Sequence, residues 1–114
     1  MEKENRLIIL WTSGDPEVAK KMVFMYTINA KKQGWWQDIN FIIWGPSSKL
    51  LSENQELQDK IKDFIKAGIK VKACKACADQ YGVTDDLVEL GIEVKYMGEP
   101  LTDYIKSESK VITF

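Results

Sequence analysis

The stretch Arg6-Leu7-Ile8-Ile9-Leu10-Trp11 is a continuous apolar run, and it most constrains what this chain can fold into. It is too short for a core helix and rich in branched side chains. It therefore reads as a strand buried on both faces, which is what a parallel sheet requires. Asp38-Ile39-Asn40-Phe41-Ile42-Ile43-Trp44 repeats the pattern. Between them, Asp15 offers a helix cap with Pro16 at the first helical position, and Val18, Met22, Tyr26 and Ala30 recur at helical spacing up to Lys32. Ala19 and Val23 widen that stripe, and Gly34 ends the segment.

The same alternation continues to the end of the chain. Gly45-Pro46-Ser47-Ser48 opens a short helical turn through Leu50 and Leu51. Ser52 and Gln55 have capping-box spacing before a helix that carries Leu57, Ile61, Phe64 and Ile65 on one face and stops at Gly68. Ile69, Val71 and Ala73 alternate with Lys70 and Lys72 in a third strand ending at Cys74. A short helix to Gly82 follows, then another in which Thr84 is the expected cap and Val83 the expected staple onto Val88. Ile92, Val94 and Tyr96 form a fourth strand, Leu101, Tyr104 and Ile105 mark a last short helix, and Lys110 to Phe114 is a fifth strand. Strands alternating with helices predict parallel pairing through right-handed crossovers. The expected architecture is a single-domain, three-layer α/β/α fold of flavodoxin-like type with a five-stranded parallel sheet, spanning residues 1–114. The polar alternation of the third and fourth strands predicts one thinly covered sheet face, open to solvent or to a partner subunit.

Composition removes whole classes of function. Sixteen Lys plus Arg against 17 Asp plus Glu leave a net charge of −1, and the charges are mixed along the chain. Nucleic acid is not an expected partner, nor is a membrane. No segment approaches the roughly 20 apolar residues of a membrane helix. The polar start before the first strand does not resemble a signal peptide, so a cytoplasmic location is expected. The chain has no histidine, which removes the usual general base, metal ligand and pH switch.

In open parallel sheets, ligands bind outside the carboxyl ends of the strands. The loops there are Thr12 to Asp15, Gly45 to Ser48, Cys74 to Cys77 and Met97 to Pro100, and each leads into a helix with free backbone N–H groups. The first lacks the lysine and glycine spacing of a phosphate-binding loop, so an ordinary helix cap is the plainer reading. Trp35 and Trp36 sit side by side in a loop, and one of them is expected to be exposed. Met22, Met25 and Met97 read as core or rim packing, and the carboxylates form no paired acid/base set.

Cys74-Lys75-Ala76-Cys77 is the sharpest signal. A helix start and an adjacent lysine favour thiolate over thiol, and one helical turn puts the second cysteine within reach of the first. Two cysteines in a reducing compartment read as thiols or a redox pair rather than a structural bridge. The alternative is that Cys77, beside Ala73 and Ala76, only packs. A zinc site takes about four ligands, which this chain does not supply, so no metal and no cofactor are expected.

On Val71-Lys72-Ala73-Cys74 with its short helix to Gly82, on Gly91-Ile92-Glu93-Val94, and on the ending Lys110-Val111-Ile112-Thr113-Phe114, the chain resembles the DsrE/DsrF-like family. That family includes TusD-type and YchN-like sulfur-relay proteins. The resemblance implies a sulfur-carrying cysteine at Cys74, a cytosolic setting, sulfur donor and acceptor proteins as partners, and a homo- or hetero-oligomer, often a trimer or hexamer. Cys77 is an addition that the relay pattern does not require. Three readings follow. The first is a carrier of sulfane sulfur as a persulfide on Cys74, with Cys77 resolving it. The second is a small-molecule-binding module whose carboxyl-edge pocket is built from Thr12, Ser13, Gly14, Trp44, Gly45, Pro46, Ser47, Lys75, Met97 and Gly98. The third is a dithiol redox protein using Cys74 and Cys77. The relay reading expects Cys74 at a helix start beside an opening.

Overall fold

The computed structural model describes residues 5–114. Five strands form one parallel sheet: β1 (Arg6–Trp11), β2 (Asp38–Ile43), β3 (Lys70–Cys74), β4 (Glu93–Lys95) and β5 (Lys110–Thr113). Their order is β4-β3-β2-β1-β5. The helical segments are α1 (Pro16–Val18) and α2 (Phe24–Lys32), joined by a π-helical turn at Ala19–Val23, then α3 (Pro46–Glu53), α4 (Gln55–Lys66), α5 (Lys75–Tyr81), α6 (Thr84–Glu89) and α7 (Gly98–Lys106). All five predicted strands are present, and the architecture is the expected α/β domain.

Handedness explains how the layers divide. From β1 through β4 every crossover steps the same way across the sheet, so right-handed connections put all their helices on one face. The step from β4 to β5 runs back across the sheet and puts α7 on the other. The packing follows. Leu7, Ile9, Trp11, Ile39, Phe41, Ile43, Val71 and Ala73 face a large core with residues of α2 to α6. Ile8, Ile42 and Cys74 face a small one with Met97, flanked by Leu10, Trp44, Cys77, Tyr104 and Val111. The large core centres on an aromatic cluster in which Phe24 lies 4.9 Å from Trp11, 5.4 Å from Phe41 and 5.1 Å from Phe64 between ring centroids.

Three local expectations are corrected. The first helix buries Ala19, Val23, Phe24, Thr27 and Ala30, whereas Met22 and Met25 are exposed. A stripe through Phe24 buries more apolar surface than one through Met22 and so takes the core. Within the π turn, Phe24 N–H reaches back to the Ala19 carbonyl. Next, α3 is a full helix rather than a short turn and runs to Glu53. The cap of α4 is therefore Asn54, whose side chain accepts from Leu57 N–H at 3.0 Å, and not Ser52. Finally, Val83 rather than Thr84 occupies the cap position of α6, with no side-chain capping bond. Thr84 donates instead to Asp79, and Val88 points to solvent, so no staple forms. Asp15 does cap α1, accepting from Glu17 N–H at 2.8 Å, and of the tryptophan pair Trp35 is exposed while Trp36 donates to the Tyr26 hydroxyl at 3.0 Å.

Candidate functional site

Cys74 is the last residue of β3 and the cap residue of α5, as the sequence predicts. Its backbone is extended, and its side chain makes no capping hydrogen bond. Cys74 is 4 % exposed and packs with Ile8, Ile42 and Met97 on the thin side of the sheet. Cys77, one turn along α5, is half-buried against the same group. Both cysteines are free thiols.

The two sulfurs interact. Burial pushes the Cys77 thiol up, and its hydrogen bond to Cys74 pushes the same way, while a hydrogen bond from the Gly45 backbone pulls it down. A thiol that donates to a neighbouring sulfur is held in its protonated form. The carboxyl end of β2 thus meets the start of α5 at Cys77. The sulfur nearer solvent belongs to Cys77, and the better-buried one to Cys74.

Gly45 makes that approach possible. It has φ of +76° with ψ of −140°, a region open in practice only to glycine, and it turns the chain from β2 into α3. Ser47, buried, locks the turn. Its hydroxyl donates to the Trp11 carbonyl at 2.6 Å and accepts from Trp44 N–H at 3.2 Å. Ser47 N–H in turn donates to the Thr12 carbonyl at 3.1 Å. Gly14 lies so close beneath that a side-chain carbon there would meet the Pro46 ring at 3.2 Å. The loops after β1 and β2 are therefore one knot of backbone hydrogen bonds.

The remaining predicted pocket residues scatter. Thr12 donates its N–H and hydroxyl to the Phe114 carbonyl, at 2.7 and 2.8 Å. Ser13 accepts from Asp15 N–H at 3.1 Å. Lys75 is paired with Asp79 at 2.7 Å and lies over the Tyr96 ring, so its charge is directed along α5. That hydrogen bond raises the Lys75 pKa and lowers that of Asp79. Met97 is buried under Cys74, whereas Gly98 stands in open space. Of the ten, Gly14 and Pro46 line a common cleft of about 280 Å³, together with Lys49, Leu50, Glu53 and Tyr81. Lys49, Leu50 and Glu53 share α3 with Pro46, and only the packing of α3 against α5 brings Tyr81 to them. Among the described residues, no group of three or more acidic or cysteine side chains is arranged to hold a metal ion, and no helix is long and apolar enough to cross a membrane.

Comparison with known proteins places this geometry among relatives. The profile of the DsrE/DsrF-like family matches residues 5–114. A conserved protein of unknown function from Bacteroides thetaiotaomicron is 38 % identical, with a TM-score of 0.96 over 100 % of this chain and 98 % of that one. The ychN protein from E. coli has the same fold at 16 % identity, with a TM-score of 0.71 over 96 % of this chain and 97 % of that one. A search of curated proteins found no match.

Proposed function

The chain belongs to the DsrE/DsrF-like family, and on that premise we propose that it carries sulfane sulfur as a persulfide on Cys74, with Cys77 as the resolving thiol. The observation that supports this most is the pair itself: two free thiols one helical turn apart at the carboxyl edge, packed in the same small cluster, with Cys77 the more exposed. The setting proposed is cytoplasmic, where thiols persist, in a homo-oligomer that meets donor and acceptor proteins.

The chemistry balances without a cofactor. The Cys74 thiolate attacks the outer, sulfane sulfur of a donor persulfide. A new S–S bond forms on Cys74, the donor's S–S bond breaks, and the donor leaves as a thiolate. In the resolving step the Cys77 thiolate attacks the Cys74 sulfur. A Cys74–Cys77 disulfide forms and the carried sulfur departs as hydrosulfide: the two thiols are oxidised and the sulfane sulfur is reduced. Because Cys77 is held protonated, it must lose its proton before this step. Since burial raises the Cys77 pKa, the resolving step is expected to quicken as pH rises.

Incubating the purified protein with a small-molecule persulfide and weighing it intact tests this reading. The expected result is a gain of one sulfur atom on the wild type, none on Cys74→Ser, and a longer-lived adduct on Cys77→Ser. No adduct on the wild type, or an adduct that survives Cys74→Ser, overturns the assignment. The packing of two free thiols in one cluster also favours a second reading, a dithiol redox pair. A redox titration followed by alkylation decides it: a reversible Cys74–Cys77 disulfide without any sulfur uptake supports the redox pair over the carrier.

A further inference from the structure

The groove between α2 and α4 holds a cavity of about 250 Å³ that the cysteine pair does not use. Phe24 and Phe64 line it, and they are 2 % and 1 % exposed, so it reaches the large core. Ile28, half-buried, and Met25, exposed, line it further out. The two helices lie side by side along it. Near their starts the Lys20 ammonium meets the Glu56 carboxylate at 3.0 Å, and near their ends a side-chain carbon at Gly68 would meet Lys31 at 3.8 Å. Lys20 also lines the cavity and belongs to the π-helical turn at Ala19–Val23. Such turns are rare and occur frequently at functional sites.

Charge and size narrow what can fill it. The charged side chains on its wall are Lys20, Lys32, Lys60 and Asp63. Glu56 balances Lys20. Among the described residues, no carboxylate lies within 4 Å of the Lys32 or Lys60 ammonium, and no ammonium lies within 4 Å of the Asp63 carboxylate. Two lysines against one carboxylate leave a single positive charge in excess. The field at this wall already favours a carboxylate. Glu56 is held below the ordinary carboxylate range, first by its hydrogen bond to Lys20 and the charge of Lys20, then by the charges of Lys60 and Lys21. A dianion gains less here, because Asp63 opposes its second charge. An apolar cavity of about 150 Å³ holds benzene, so the larger volume here fits one ring with a short acid arm.

We propose that the α2–α4 cavity binds a small aromatic monocarboxylate, its ring against Phe24, Ile28 and Phe64 and its carboxylate toward Lys32 and Lys60. Contact between aromatic rings and apolar burial supply affinity. The unbranched Met25 side chain adapts to the outer edge of the ring. The two lysines select an anion, and Asp63 selects against a second negative charge. The site lies on the thick side of the sheet, whereas Cys74 and Cys77 belong to the thin side, so ligand binding and sulfur chemistry are separate.

Titrating the full-length protein with phenylacetate, followed by amide NMR shifts and by calorimetry, tests the site. The shifts are expected to cluster in α2 and α4 and to leave α7 unmoved. Phenylacetamide keeps the shape and lacks the charge, and it is expected to bind about tenfold more weakly. Lys32→Met and Lys60→Met should each weaken phenylacetate binding about two- to fivefold and leave the amide unaffected, whereas Asp63→Asn should tighten it by a similar factor, about two- to fivefold. Affinity for the acid should fall as salt rises. Shifts that map elsewhere, or none at millimolar phenylacetate, overturn the proposal. So does phenylacetamide binding as tightly as the acid, inorganic phosphate moving the same amides as strongly, or charge variants that leave the affinity unchanged. Sulfur uptake is read separately by mass, so a failure of this site leaves the persulfide assignment standing, and a failure of uptake leaves the site standing.

Discussion

At the scale of single residues, the site turns on Cys77 and Gly45. Burial first, then the hydrogen bond to Cys74, holds the Cys77 proton more tightly in the folded chain than in the unfolded one, against the pull of the Gly45 amide. The stability linked to this proton is present below the ordinary thiol range and is lost as pH rises through the raised value. Alkylation of Cys77 in a Cys74→Ser background should bring it back toward ordinary thiol behaviour. In the wild type, its rate should still be climbing above the pH at which a free cysteine levels off; a profile identical to free cysteine contradicts the arrangement. Gly45→Ala forces a side chain into a backbone region that only glycine adopts readily. It should cost about 1–3 kcal/mol in urea unfolding, although nothing lies within 4 Å of the new methyl group, because the strain is in the backbone and not in a clash.

Among the elements, α7 is held differently from the rest. It buries none of its residues, whereas α4 buries Leu57, Ile61 and Phe64. Its tie to the sheet is Tyr104. Lys72 Nζ donates to the Tyr104 hydroxyl at 2.7 Å, and that hydroxyl donates to Oδ1 of the buried Asn40 at 3.2 Å. The Arg6 guanidinium and the Lys72 ammonium both approach the ring, at 5.5 and 5.4 Å from its centroid. Tyr104→Phe keeps the ring and its cation contacts but leaves the Asn40 oxygen without its donor. The expected loss is about 1–3 kcal/mol of stability, with faster hydrogen exchange concentrated in α7 and β5. Exchange that quickens equally across the sheet would show that α7 is not the weakly held unit. Since Met97, just before α7, packs on Cys74, the same variant should also raise the rate at which Cys74 is alkylated.

Taken as a whole, the molecule is one thick core and one thin one on either side of a single sheet. Phe24 touches three other aromatic rings in the thick core, drawn from β1, β2 and α4. Phe24→Ala should therefore cost about 3–5 kcal/mol and lower the unfolding midpoint by every probe at once. The thin side, by contrast, holds the buried Cys74 and the Lys72–Tyr104–Asn40 network. The alternation of Lys70 and Lys72 with Val71 and Ala73 had already marked that face as polar.

Strand existence and parallel pairing were written in the chain, because runs such as Leu7 to Trp11 can satisfy their backbone and bury their side chains only inside a sheet covered on both faces. The place of Cys74 at the end of β3 followed from the same alternation. Chain order does not encode which strands become neighbours, so the β4-β3-β2-β1-β5 order, and with it the lopsided layering, came only from the tertiary structure. The choice of stripe in the first helix was likewise settled by competition for one core, which Phe24 won over Met22 by burying more apolar surface. The meeting of Gly45 with Cys77, and of Lys72 with Tyr104, joins residues 32 positions apart in each pair. Contacts at that separation depend on how packed elements cross, and a local pattern carries no record of it.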